Sequence, residues 1–422
     1  MTADSTAAEA MTSASDLPLP LPLPSGIRSR YVRHVNGLTV HLLEAGHDGS
    51  GEAAAGAERS GAAVAERPCV LLLHGFPELA YSWRKVMLPL AAAGYHVVAP
   101  DQRGYGRTTG WDPDYDGDLH AYRMLNLVRD ALGLVAALGY RSVRAVVGHD
   151  FGSFVAAWCA LLRPDVFQSV ALMSAPFAGP PPLPFGTARA GAAAGGAQAS
   201  PAQSAAADIH QALASLPRPR KHYQWYYSGR DAADDMRHAR QGLHDFLRAY
   251  YHHKSADWAG NRPFELAAWT AEELQKLPTY YVMDRDEGMA ETVAHEMPSP
   301  QAIAANQWLP DEELRVYSSE FARTGFQGAL QWYRCLIDPA FAAELQVWSG
   351  RAIDVPLTFI AGSSDWGIHQ RPGHLELMQH QACTRMAGMH LVDGAGHWVQ
   401  QERPAEVTRL LLDHLHLAAS AR

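Results

Sequence analysis

Val143-Arg144-Ala145-Val146-Val147-Gly148-His149-Asp150-Phe151-Gly152-Ser153 joins a short apolar run to a turn of small residues, and the helical run 154–162 follows at once. A strand, a sharp turn and a helix in that order form the elbow that lifts a nucleophile above the edge of a sheet. The turn is tight, so its flanks must be small, and Gly148, Gly152 and Ser153 supply that. Asp150 holds the central position. The competing reading is that Asp150 merely caps the helix, since Asp accepts well from the free N–H groups of a first turn.

Outward from this point the chain alternates. Runs 68–73, 95–99, 170–173 and 357–361 are also short and apolar, and amphipathic stretches separate the early ones. One of these, 126–138, puts Leu127, Val128, Ala131, Leu134 and Val135 on one side of a helix. The pattern predicts an α/β fold with a doubly wound, mostly parallel sheet covered on both faces. By contrast, 220–340 is rich in Trp, Tyr and His without comparable strands, and it reads as an inserted, mainly helical lid before the strands resume near Val355. The expected division is a disordered tail at 1–25, a first part of the catalytic domain at 26–178, a low-complexity insertion plus lid at 179–344, and a second catalytic part at 345–422.

Composition agrees with this division. The chain has 422 residues, of which 47% are hydrophobic, enough for a large core and one inserted subdomain. A net charge of -9 and the lack of a basic cluster argue against nucleic-acid binding. Cys69, Cys159, Cys335 and Cys383 lie far apart, which predicts buried thiols in a reducing cytoplasm rather than disulfides or zinc. Segments 46–66 and 179–215 are dominated by Ala, Gly, Ser and Pro and read as surface insertions. No stretch is long and apolar enough to predict a membrane span, and the start of the chain lacks the cationic and apolar parts of a signal peptide.

A carboxylate nucleophile restricts the chemistry. Attack on a carbonyl would make a reactive anhydride, whereas attack on a saturated carbon makes an alkyl ester that a histidine-activated water can cleave. The electrophile is then an sp³ carbon, as in an epoxide or an alkyl halide. His74-Gly75-Phe76-Pro77 follows the run ending at Leu73, and the Phe76 amide can converge with that of Phe151 as an oxyanion hole. Taken alone, it is a turn after a strand. Asp365 follows the run 357–361, and His397 lies shortly before the C-terminal helix, so nucleophile, acid and histidine come in the order of a hydrolase triad. With 21 histidines in the chain a single placement means little; the three together point to Asp365 orienting His397 as general base. Asp354 and Asp393 are weaker candidates for the acid, since Asp354 precedes its strand.

His74-Gly75-Phe76-Pro77, Tyr81-Ser82-Trp83-Arg84, Asp101-Gln102-Arg103-Gly104-Tyr105-Gly106 and Gly148-His149-Asp150-Phe151-Gly152 together resemble the epoxide hydrolases of the α/β-hydrolase fold. The resemblance covers nearly everything outside the three biased segments. It implies water addition to an epoxide to give a vicinal diol through an aspartyl ester, without metal or organic cofactor, on a small apolar epoxide. Homodimerisation stays open. In this family two lid tyrosines bind the epoxide oxygen, and the matching positions are Tyr223, in His222-Tyr223-Gln224-Trp225-Tyr226, and Tyr317, in Glu313-Leu314-Arg315-Val316-Tyr317, with Trp332-Tyr333-Arg334 anchoring the match downstream. A phenol can polarise the ring oxygen and hand over a proton while staying neutral at working pH. Either tyrosine could instead be a packed lid aromatic, and Tyr226, Tyr227, Tyr280 and Tyr281 compete for the role.

Two rivals remain. Haloalkane dehalogenation shares the aspartyl ester, but related dehalogenases use a tryptophan after the nucleophile where this chain has Phe151, whose ring has no N–H. A catalytically idle small-ligand-binding protein is the other, and an intact Asp150, Asp365 and His397 weigh against it. Asp112-x-Asp114-x-Asp116-Gly117 starts like a calcium loop but has Arg123 where a bidentate Glu belongs. Gly104-x-Gly106 lacks the third glycine of a dinucleotide site. The adjacent His252 and His253 would point apart on a helix.

Overall fold

The described residues form ten strands: β1 (Ile27–Val35), β2 (Leu38–Ala45), β3 (Cys69–Leu73), β4 (His96–Pro100), β5 (Ala145–His149), β6 (Val170–Met173), β7 (Arg220–His222), β8 (Val282–Asp284), β9 (Leu357–Gly362) and β10 (Met386–Val392). They belong to a computed structural model that describes residues 20–47, 67–183 and 209–420. Most of the expected tail at 1–25, and the bulk of the expected insertions at 46–66 and 179–215, lie outside the described residues. Eight strands form one sheet in the order β1-β2-β4-β3-β5-β6-β9-β10. From β4 to β10 every pairing is parallel, while β2 runs antiparallel to both its neighbours.

Strands β3, β4, β5, β6 and β9 are buried at every residue, as expected of a sheet covered on both faces. The cover includes α1 (Arg84–Ala92), α2 (Met124–Ala137) and α3 (Phe151–Leu162). The chain between β6 and β9 carries the lid helices α4 (Tyr223–Ser228), α5 (Leu243–Lys254), α6 (Asp311–Thr324) and α7 (Gln327–Ile337), and α8 (Pro404–Ser420) closes the chain. Helix α2 packs on α3, and α1 on α8. No helix among the described residues is long and apolar enough to cross a membrane.

The structure adds elements that the apolar runs did not reveal. β1 is mostly exposed along Ile27-Arg28-Ser29-Arg30-Tyr31-Val32-Arg33-His34-Val35, and β10 is an edge strand with only Val392 buried, so neither needs a continuous apolar run. Asn36-Gly37, with φ of 49° and 83°, closes the β1–β2 hairpin, and that dipeptide is the local signal for it. The lid is not wholly helical either, because β7 and β8 pair antiparallel within it.

The elbow is tighter than the expected strand 143–147 implied. β5 runs on to His149 and α3 begins at Phe151, so Asp150 alone turns the chain. Its φ of 53° and ψ of -121° lie where L-residues rarely go. A Cβ on Gly152 would sit 2.3 Å from the Leu73 carbonyl oxygen, which explains the small flank.

Candidate active site

Parallel strands put their C-terminal ends on one edge, and loops from those ends converge there. His74 to Phe76 follow β3, Asp150 follows β5, Ser174 follows β6, Asp365 follows β9 and His397 follows β10. A Cβ on Gly75 would lie 2.4 Å from the Asp150 Cβ, so glycine lets the first of these loops pass the elbow. Phe76 N–H donates to Asp150 Oδ1 at 2.9 Å. Phe151 supplies the first N–H of α3, one of those a helix leaves without an intrahelical acceptor.

Asp150 Oδ2 is 3.1 Å from His397 Nε2, and His397 Nδ1 is 3.1 and 3.2 Å from the two Asp365 oxygens. Against a carboxylate, Nδ1 must carry a proton, which leaves Nε2 to exchange one at the Asp150 side. Asp365 Oδ1 also accepts from Gly367 N–H at 2.7 Å. Burial alone would raise the Asp150 carboxyl, but the His397 hydrogen bond and charge, with the Lys254 ammonium and His149, hold it well below the usual carboxylate range. Asp365 is likewise lowered against its burial, by His397 and by the Gly367 amide. Both carboxylates are therefore ionised at neutral pH. The structure brings Asp150, Asp365, His397 and Phe76 together as expected; Asp354, which precedes β9, lies toward the other edge of the sheet.

Asp150 is 17% exposed, and it opens into a cavity of about 440 Å³ lined also by Phe151, Tyr223, Gln224, Tyr333 and Arg371. Tyr223, at the start of α4, donates to Gln370 Oε1 at 3.2 Å and accepts from Gln224 Nε2 at 3.3 Å. Burial and the Asp150 charge push both phenols, Tyr223 and Tyr333, above their ordinary value, so both stay neutral.

Tyr317 is a correction. Its hydroxyl contacts Ser82 Oγ at 2.8 Å and Gln401 Oε1 at 3.1 Å, its ring packs on Tyr81 and Tyr251, and it does not line the cavity. The second tyrosine on the cavity wall is Tyr333 on α7, whose ring meets Phe76 and Phe151 at 5.6 and 5.3 Å. Among the described residues its hydroxyl has no hydrogen-bond partner. The signal was present in Trp332-Tyr333-Arg334. Tyr333 stands seven residues, two helical turns, after Phe326, and both rings pack on Phe76.

Several supporting residues carry no motif. His149 Nδ1 faces Glu78 Oε2 at 2.6 Å, and its Nε2 faces the His397 carbonyl at 2.7 Å, so both nitrogens donate and the ring is cationic. Burial opposes that charge, and the Glu78 carboxylate overcomes it. Gln400 and Gln401 each donate to Glu78 Oε1 at 3.0 Å. Glu402 accepts from Gly396, Trp398 and Ala256 amides at 3.0, 3.0 and 2.8 Å, and the His397 amide donates to the Lys254 carbonyl at 2.9 Å. The histidine loop is thus pinned to the end of α5. Glu78→Ala would leave the His149 cation buried without its partner, and a loss of about 3–5 kcal/mol is expected. Urea unfolding measures it, and a loss below about 1 kcal/mol would mean that the pair is not coupled to the fold.

The expected decoys fall away from the cavity. Asp112 and Asp114 accept from the amides of Asp114 and Asp116 at 2.9 and 3.0 Å in an exposed loop, and Asp116 pairs with Arg230. His253 is buried against Trp258 and Tyr280, and burial pushes it down to about 3. Among the described residues Glu44, His47 and His96 have donor atoms close enough for a cation. The Glu44 carboxylate there is already held by Arg28, Arg30 and His96, so this cluster is satisfied as ion pairs.

A family model for the alpha/beta hydrolase fold matches residues 68–404. The chain is 33% identical over 393 residues to epoxide hydrolase A of Mycobacterium tuberculosis (strain ATCC 25618 / H37Rv), covering 90% of this chain and 95% of that protein. It is 29% identical over 380 residues to an epoxide hydrolase of Caballeronia sordidicola, covering 90% and 91%. Among solved structures, an epoxide hydrolase from an endophytic Streptomyces superposes with a TM-score of 0.68 at 30% identity, covering 93% of this chain and 96% of that one. Potato (Solanum tuberosum) epoxide hydrolase I does so with a TM-score of 0.65 at 27% identity, covering 92% and 99%.

Proposed function

The chain belongs to the epoxide hydrolases of the α/β-hydrolase fold, and on that premise we propose that it adds water to a small epoxide through an ester on Asp150. The epoxide oxygen sits between the Tyr223 and Tyr333 hydroxyls, displacing Gln370 from the first. Oδ1 of Asp150 is held by the Phe76 amide, so Oδ2 attacks a ring carbon. That carbon's bond to the ring oxygen breaks, and a phenol gives its proton to the alkoxide; the phenolate regains a proton after hydrolysis, when the second proton of the attacking water leaves the regenerated Asp150 carboxyl. Bulk solvent is not needed for the charge to be managed, because both phenols are neutral and preplaced.

In the second half, His397 Nε2 takes a proton from water as the water oxygen attacks the ester carbonyl carbon of Asp150. Asp365 stabilises the imidazolium. The oxyanion forms on Oδ1 and meets the Phe76 and Phe151 amides, donors each worth ~10²–10³ in rate. Collapse breaks the bond from the carbonyl carbon to the alkyl oxygen, and the diol leaves with the proton from His397. One water oxygen stays in the Asp150 carboxylate.

The observation that carries this reading is the Asp150 carboxylate bridging His397 and the Phe76 amide at the floor of a cavity with two phenols in its wall. A single turnover in heavy-oxygen water tests it. Label must enter the peptide that contains Asp150; label in the diol alone would mean direct attack by water. The tyrosines give a second check. Tyr333→Phe is expected to slow ester formation by on the order of 10²-fold. Tyr317→Phe loses a buried hydrogen bond worth about 1 kcal/mol of stability and leaves ester formation within a few-fold. Stopped-flow alkylation rates decide, and the reverse ranking would restore Tyr317.

Cys69, Cys159, Cys335 and Cys383 are all buried and far apart in the chain, which supports a reducing compartment such as the cytoplasm.

A further inference from the structure

We propose that the natural substrates are epoxides bearing a carboxylate a few bonds from the ring, with the Arg371 guanidinium as counter-charge; this holds only if the cavity is the epoxide site. Arg371 lies beyond β9 and lines the same cavity as Asp150 and Tyr223. Of its five N–H donors one contact is made, from Nη2 to Gln224 Oε1 at 3.1 Å. Its guanidinium carbon stands 4.3 Å from the centre of the Trp269 ring. Among the described residues it forms no salt bridge, and its other donors have no protein partner.

An arginine in this state is unusual. Arg371 is half-buried in the cavity wall, and its guanidinium keeps its charge at neutral pH, so the cavity presents a cation not committed to a carboxylate. Burial does push it below its ordinary value, and only Tyr223 works against that. The histidines nearby do not share the charge. Burial pushes His374 and His210 down to about 4 and His222 well below its ordinary value, so all three are neutral. Among the described residues the cavity lining therefore holds one fixed cation, Arg371, and one carboxylate, Asp150, which is committed to His397 and Phe76.

The spacing says where the anion sits relative to the ring. Gln224 accepts from Arg371 with its Oε1 and donates to the Tyr223 hydroxyl with its Nε2, so one side-chain amide separates the cation from the phenol that holds the epoxide oxygen. A planar guanidinium with free parallel N–H groups matches a carboxylate in two-point geometry. Trp225, Trp269, Leu336 and Ile337 provide apolar wall for the carbon skeleton.

An epoxyalkanoic acid and its methyl ester, compared on the wild type, Arg371→Gln and Arg371→Lys, test the idea. The wild type should favour the acid, and Arg371→Gln should lower the acid-to-ester ratio of kcat/KM by about 10- to 100-fold, mainly through KM, with Arg371→Lys in between. A merely structural role for Arg371 would move acid and ester alike. An unchanged ratio overturns the proposal while leaving the hydrolase reading intact, whereas a wild type that turns over neither compound overturns both. Should Arg371→Gln fail to fold, inhibition of the wild type by an alkanoate and by the matching primary amide decides without a variant. The alkanoate should bind at least tenfold more tightly, and equal inhibition overturns the proposal.

Discussion

Asp150→Ala is expected to abolish diol formation, with kcat/KM falling on the order of 10⁴-fold or more. Alanine keeps the elbow but removes both oxygens, so the Phe76 amide and His397 Nε2, now 2.9 and 3.1 Å from Oδ1 and Oδ2, face no nucleophile. What remains is attack by a His397-activated water on the epoxide itself, without the ester that divides the reaction into two easier steps. Diol release measured by chromatography, with a thermal melt to confirm folding, checks this. Turnover within tenfold of the wild type would end the covalent route.

His397→Gln is expected to do something different, which makes it the more discriminating variant. Asp150 still opens the ring, but no group takes the proton from the second water, so hydrolysis of the ester slows on the order of 10²–10⁴-fold. Epoxide should be consumed in a burst of about one equivalent per active site, while diol release nearly stops. The intact protein should gain the mass of one epoxide. Glutamine is chosen over alanine because its amide can still donate to Asp365, which would otherwise be a buried carboxylate with one partner fewer. Normal steady-state turnover with no adduct would remove His397 from the role.

The fold, and the loops that bring Asp150, Asp365 and His397 into contact, were legible because they depend on short-range chemistry. A strand buried on both faces has to be apolar throughout, so β3, β5, β6 and β9 show as runs in the chain. The half-exposed β1 and the edge strand β10 lack that constraint and were invisible to the same test, although Asn36-Gly37 marked the β1–β2 hairpin in plain view. The network behind His397 was not legible. Glu78, Lys254 and Glu402 act from three separate loops and helices, and an acidic or basic residue in the chain has no pattern that distinguishes a buried partner from a solvated surface group.

The lid shows the same boundary more sharply. Tyr223 was identified beside its neighbours His222 and Gln224, because the aromatic block at the start of α4 is compact. Tyr317 and Tyr333 lie on successive helices, α6 and α7, and each is a buried aromatic on an amphipathic helix. Helical periodicity says which residues share a face, and it does not say what that face will meet.

From the chain alone came the elbow with its glycine flanks, the order of nucleophile, acid and histidine along the polymer, and the alternation of strand and helix that brings their loops to one edge. Each follows from residues adjacent in sequence, where backbone sterics and side-chain period act directly. Folding in three dimensions decided which of 16 tyrosines face Asp150 and that Arg371, among the described residues, lines the same cavity without a carboxylate partner. The placement of the tyrosines depends on how α6 and α7 settle against the β3 and β4 loops, contacts between residues 200 or more positions apart, and that of Arg371 on its contacts with Gln224 and Trp269; both are set by packing rather than by any local preference.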